Sequence, residues 1–101
     1  MCGIVGIVST QPVNQQVYDA LLLLQHRGQE STGIATEDGN NFHMFKARGL
    51  VREAYRTRDM RSLLGNLGLG HVRFATKSEA ASEEDIQPFY VNAPYGIILV
   101  Q

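Results

Sequence analysis

The sequence predicts an α+β protein or a layered αββα packing, and not a doubly wound parallel sheet. Three observations predict it. The stretch IVGIV (Ile4 to Val8) is β-branched and apolar on both faces, as expected of a strand held between two layers. The tract DGNN (Asp38 to Asn41) sits between two strand-like segments, so these strands are joined by a turn and not by a helical crossover. Helical periodicity is confined to two segments, while the second half of the chain reads as several short strands.

Taken in order, Gly3 to Ser9 is the first strand, and Gly6 within it suggests close approach of another backbone. Thr10 to Pro12 breaks it. Asn14 is the expected N-cap of a helix that runs to about His26. Val17, Ala20, Leu21 and Leu24 recur at helical spacing and form its core stripe. Gly28 is the expected C′ residue. Thr32 to Glu37 and Phe42 to Ala47 form the hairpin, and Gly49 punctuates. Val51 to Leu64 predicts a second helix with a charged outer face, ended by Gly65. LGLGHVRF (Leu67 to Phe74) reads as a strand despite its two glycines. ATKSEAASEEDIQP (Ala75 to Pro88) reads as a polar, acidic surface loop. FYV and GIILV are two more strands joined by the turn NAPYG. Ile97 to Val100 is still apolar near Gln101, which suggests a piece of a longer domain, since complete domains usually end in an exposed tail.

Composition narrows the function classes. The chain has 101 residues, 44% of them hydrophobic, and a net charge of −1, which is one small domain or part of one. Nucleic acid and anionic membranes normally demand a basic excess, so neither is an expected partner. A single cysteine allows no internal disulfide and no thiolate cluster, which fits a reducing, cytoplasmic setting. The N-terminus lacks the basic region of a signal peptide, and the apolar runs are too short to span a bilayer. There is no internal repeat.

Cys2 is the first candidate for chemistry. Removal of Met1 would give one residue both a thiol and a free α-amine. Their ordinary pKa values are about 8.5 and about 7.7–8.0. The amine can then serve as base for its own thiol, and no histidine is needed. The plainer alternative is a small hydrophobic residue at a frayed end. Arg27, at the end of the first helix, and Arg73, at the end of a strand, suit bidentate recognition of a carboxylate, or else structural ion pairs. His26, His43 and His71 have no metal-ligand spacing, so no metal site is expected. His71 shares a strand face with Arg73. Glu83, Glu84 and Asp85 read as a solvated loop face.

Several stretches together resemble one known family. MCGIVGI, LQHRGQES followed by GIA, KARGLV, GNLGLGHVRF followed by Thr76, and QPFYVNAPYGI are similar to the glutaminase domain of the amidophosphoribosyltransferase family. The resemblance runs over nearly all of the chain. MCGI and RG are shared by class II glutamine amidotransferases in general. LQHRGQ, QPFYVN and PYGI are the more specific parts.

The resemblance implies the N-terminal nucleophile (Ntn) hydrolase fold, a four-layer αββα sandwich present here incompletely. It implies that residues 1–101 are the N-terminal part of a class II glutaminase domain, without the transferase domain. Its implied activity is hydrolysis of L-glutamine by Cys2. The ammonia would serve 5-phosphoribosylamine synthesis from phosphoribosyl diphosphate in that other domain, the first step of purine biosynthesis. Arg73 matches the arginine that binds the glutamine α-carboxylate, and Thr76 a residue of the loop that closes on glutamine. Arg27 and Gly28 match the motif beside the nucleophile. The implied cofactors, Mg2+ and in some members an iron–sulfur cluster, belong to segments beyond Gln101; none is expected in this one. The full-length protein would be a homo-oligomer. One departure is the loop: Phe74, Ala75 and Thr76 lead into KSEAASEED, where the family has tyrosine, proline and threonine before a Gly/Ser-rich run. A second is that the family's oxyanion-hole Asn-Gly pair would follow Gln101, so these 101 residues alone are expected to hydrolyse little or no glutamine. The alternatives are another class II amidotransferase, such as glucosamine-6-phosphate synthase or glutamate synthase, or a binding module of this fold without catalysis.

Overall fold

The structure is a computed structural model that describes residues 2–39, 41–74, 86–92 and 96–101. Its first half follows the expected order: strand β1 (Gly3–Val8), helix α1 (Asn14–Leu24) with a 3-10 turn at Gln25–Arg27, and the hairpin β2 (Ser31–Glu37) and β3 (Phe42–Arg48). Then come α2 (Val51–Ala54), α3 (Thr57–Ser62), β4 (Leu67–Arg73), β5 (Phe89–Val91) and β6 (Ile97–Leu99).

Two sheets form. The larger is antiparallel, in the order β1-β4-β2-β3, and the smaller pairs β5 with β6. Register assigns the faces of the larger sheet. Gly3, Val5 and Ile7 lie opposite Val72, Gly70 and Gly68, which in turn lie opposite Thr32, Ile34 and Thr36. This face takes the helices. Val17 and Leu21 of α1 are fully buried, each burial contributing about 1.5–3 kcal/mol, and they join Val13, Ile34, Val51, Tyr55, Leu63 and Val72 in one core. The glycines of β4 let α1 come close. A Cβ at Gly70 would lie 2.8 Å from both Val17 and Val5.

The opposite face carries the second layer. Gln87 and Pro88 press on Gly33, Lys46 Nζ donates to the Ile86 carbonyl (2.8 Å), and Phe42 meets Tyr90 edge to face. Helices, the four-stranded sheet and the two-stranded sheet thus supply three of the four expected layers among the described residues.

Several expectations need correction. The expected buried strand is half open: Ile4 and Val8 are 48% and 79% exposed. β1 is the edge of its sheet, and the second layer sits over β2 and β3. The close backbone approach expected at Gly6 occurs instead at Gly33 and Gly28. Asn14 begins α1 but does not cap it. The cap position is Val13, and Asn14 Nδ2 donates to the Met60 carbonyl (2.8 Å), tying α1 to α3.

The second helix is two short ones. Tyr55 and Arg56 are extended (ψ 119° and 164°), which turns the Tyr55 ring into the core against Tyr18 and Phe45. Of the expected surface loop, Ile86 and Pro88 are buried; residues 75–85, with Thr76, lie outside the described residues. Among the described residues, no helix is long and apolar enough to cross a membrane.

Candidate active site

One end of the larger sheet collects the chemistry. Gly3 is opposite Val72, so continuing the register by one residue sets Cys2 opposite Arg73. On the other side of β4, Ser31 is opposite Arg73. Cys2 is a free, half-buried thiol. The 3-10 turn after α1 brings Arg27 to the same end, where its Nε donates to the Cys2 carbonyl (3.3 Å).

Gly28 explains why this turn fits. It ends the helical stretch as expected, its N–H donating to the Gln25 carbonyl (3.1 Å), but its backbone is extended (φ −168°), which any residue adopts. Its requirement is space. A Cβ there would lie 2.6 Å from the Arg73 backbone N and C and 2.7 Å from the Val72 carbonyl carbon. Only glycine lets the turn lie flat on β4 beside Arg73.

Arg73 ends β4 with 16% of its side chain exposed, and its Nε lies 3.6 Å from Glu30 Oε2. The Glu30 N–H donates to the Arg73 carbonyl (3.0 Å), so β2 and β4 stay joined past their last paired residues. Cys2, Arg27, Gly28 and Arg73 are therefore gathered at one place.

His71 lies on the same face as Arg73, as its two-residue spacing predicts. It is fully buried, and its Nε2 donates to the Gln101 carbonyl (2.8 Å). A carbonyl only accepts, so the ring is the Nε2–H tautomer, and Nδ1 has no partner among the described residues. Burial lowers its pKa, and the nearby Arg73 charge acts in the same direction. The neutral ring is thus a link between β4 and the end of β6.

The other histidines lie elsewhere. His26 Nδ1 contacts the Leu23 carbonyl, and His43 pairs with Asp38 across the hairpin (2.8 Å). Among the described residues no group of three or more His, Cys, Asp or Glu side chains is placed to hold a metal ion. The described residues therefore do not fit Mg2+ or an iron–sulfur cluster. Sequence reasoning missed Glu30 and Ser31. Both stand in the stretch LQHRGQES, but nothing in their spacing says that strand pairing will set them beside Arg73.

No family model matches the chain. Curated relatives do. It is 56% identical to the amidophosphoribosyltransferase of Escherichia coli (strain K12) over 100 residues, covering 98% of this chain and 20% of that protein. It is 44% identical to that of Methanocaldococcus jannaschii over 102 residues, covering 99% of this chain and 21% of that protein. A solved structure of the allosteric regulatory enzyme of purine biosynthesis matches with a TM-score of 0.86 at 30% identity, over 97% of this chain and 21% of that one. The glutamine phosphoribosylpyrophosphate amidotransferase of B. subtilis, solved with ADP and GMP, matches with a TM-score of 0.83 at 30% identity, over 97% of this chain and 21% of that one. The chain thus spans about one fifth of the length of the relatives it matches. Identity sustained across bacterial and archaeal relatives, with the same fold, places this chain in the amidophosphoribosyltransferase family, as the counterpart of its N-terminal Ntn-hydrolase region.

Proposed function

We propose that these residues form part of a glutaminase site that supplies ammonia for 5-phosphoribosylamine synthesis in the full natural protein. The observation that carries the reading is the convergence of Cys2, Arg27, Gly28 and Arg73 at one sheet end. The relatives' names support the phosphoribosyl acceptor.

In this reading Met1 is removed and the Cys2 α-amine takes the thiol proton. The thiolate attacks the side-chain amide carbon of L-glutamine. The C–N bond breaks, and the nitrogen leaves as ammonia with the proton returned by the amine. Water then hydrolyses the thioester, giving glutamate and the free thiol. The Arg27 contact to the Cys2 carbonyl steadies the residue that must act as both nucleophile and base. Arg73, opposite Cys2, receives the α-carboxylate, and Gly28 lets it sit there. Thr76, outside the described residues, is assigned to the glutamine site by the family resemblance alone. Residues 1–101 are the N-terminal part of the glutaminase domain, and phosphoribosyl diphosphate binds elsewhere in a cytoplasmic homo-oligomer.

Steady-state assays of the full natural chain test this. Cys2→Ser is expected to abolish glutamine-dependent synthesis of phosphoribosylamine while leaving synthesis from added ammonia intact. Retention of glutamine-dependent turnover by Cys2→Ser would contradict the reading.

A further inference from the structure

Glu30 is held more firmly than a connecting residue needs to be. Its N–H donates to the Arg73 carbonyl (3.0 Å), and its own carbonyl accepts from the Gly49 N–H (2.7 Å). Its carboxylate turns back on Arg73, with Oε2 at 3.6 Å from Nε. The side chain keeps 29% exposure, yet Oε2 itself is buried and meets no hydrogen-bond donor among the described residues. A carboxylate oxygen removed from water without a donor is costly unless a cation faces it. The Arg73 guanidinium is that cation.

We propose that Glu30 is a positioning residue: it fixes the Arg73 guanidinium at its Nε edge so that the planar fork meets a substrate carboxylate in one orientation. The inference rests on the reading of Arg73 as the α-carboxylate grip. An arginine head ends a long stem of rotatable bonds, and strand pairing stops at Arg73, so backbone geometry does not set the plane of the fork. The Glu30 carboxylate, 3.6 Å from Nε and so in charge contact without a hydrogen bond, draws that edge of the head group toward itself, and the remaining N–H directions are rigidly related to that edge. Ordering the fork before the ligand arrives removes an entropic cost from substrate binding. Glu30 acts through Arg73 and does not touch the substrate.

Two thiol probes on the full natural chain test this. One is a glutamine analogue carrying an α-carboxylate and a side-chain diazoketone; the other is iodoacetamide, which has no carboxylate. In Glu30→Gln the analogue is expected to label Cys2 more slowly by about 10- to 100-fold, the scale of a small misplacement of a reactant. Iodoacetamide labelling stays within about twofold, and KM for glutamine rises more than kcat falls. Glu30→Asp, which keeps the charge, recovers most of the analogue rate. Equal slowing of both probes indicates a purely structural role and overturns the proposal, as does no slowing of either. If wild-type Cys2 is not labelled by the analogue in competition with glutamine, the glutaminase reading fails and this inference fails with it. If Glu30→Gln does not fold, a structure of the wild-type chain with glutamate bound decides. Arg73 Nε is expected to stay on Glu30, and a ligand that displaces Glu30 overturns the proposal.

Discussion

At position 28 the missing Cβ and the neighbouring Arg73 backbone set each other's place. Any larger residue must push the turn off β4, because the atoms in the way are backbone and cannot rotate aside. Gly28→Ala is therefore expected to cost about 1–3 kcal/mol by overpacking and to weaken glutamine turnover through Arg73. Urea denaturation and steady-state kinetics check it, and wild-type values in both would contradict it. Arg73→Lys keeps the charge but loses the fork, so KM for glutamine should rise by about tenfold or more with a smaller change in kcat.

His71 gives a pH dependence. Burial lowers its pKa below the ordinary 6.5, so the unfolded chain takes up a proton that the folded chain resists. Stability from this residue is fully present above 6.5 and is lost as pH falls below it. Denaturant midpoints at pH 7.5 and 5.5 should differ in the wild type and differ less in His71→Asn. At this scale Cys2, Arg27 and Arg73 were legible as residue types suited to a thiol nucleophile and carboxylate grips. Glu30 was not, because its role comes from strand pairing between β2 and β4. Gly28 was legible as the residue that ends the helical stretch, but its second role, making room for the Arg73 backbone, was not, because that depends on the strand beside it.

Among the elements, the hairpin was the easiest to read, because Asp38 to Asn41 combines turn formers between two β-rich runs. The segment from Val51 to Leu64 was the hardest. Its charge and periodicity suit one helix, but Tyr55 does more for the fold when the chain extends there. The Thr32 hydroxyl donates to the His71 carbonyl (3.0 Å), so the Tyr55 hydroxyl, 2.9 Å away, must donate to Thr32. That relay joins the helical layer to β2 and β4, and burial raises the tyrosine pKa. Tyr55→Phe is expected to destabilise the fold by about 1 kcal/mol, the net contribution of one hydrogen bond. A loss of several kcal/mol would show that the ring has shifted as well. The glycines of β4 also reverse a sequence impression. They look like weak points in a strand, yet Gly68 and Gly70 let α1 approach and bury Val13, Val17 and Leu21.

For the molecule as a whole, the order of elements and the turn chemistry indicated an α+β or layered class, and the structure and its relatives bear this out. The strand order β1-β4-β2-β3 was not legible, since pairing β1 with β4 depends on contacts about sixty to seventy residues apart. That long-range pair is what builds the site, because Gly3 opposite Val72 brings the chain's start to the end of β4 that carries Arg73. The central claim is that Cys2 is the nucleophile of a glutamine site. Intact-mass spectrometry of the full natural chain after exposure to the diazoketone analogue of glutamine tests it most directly. The account predicts loss of Met1 and one adduct on Cys2 whose formation glutamine suppresses. Retained Met1, or an adduct at Cys2 that glutamine does not suppress, would contradict it.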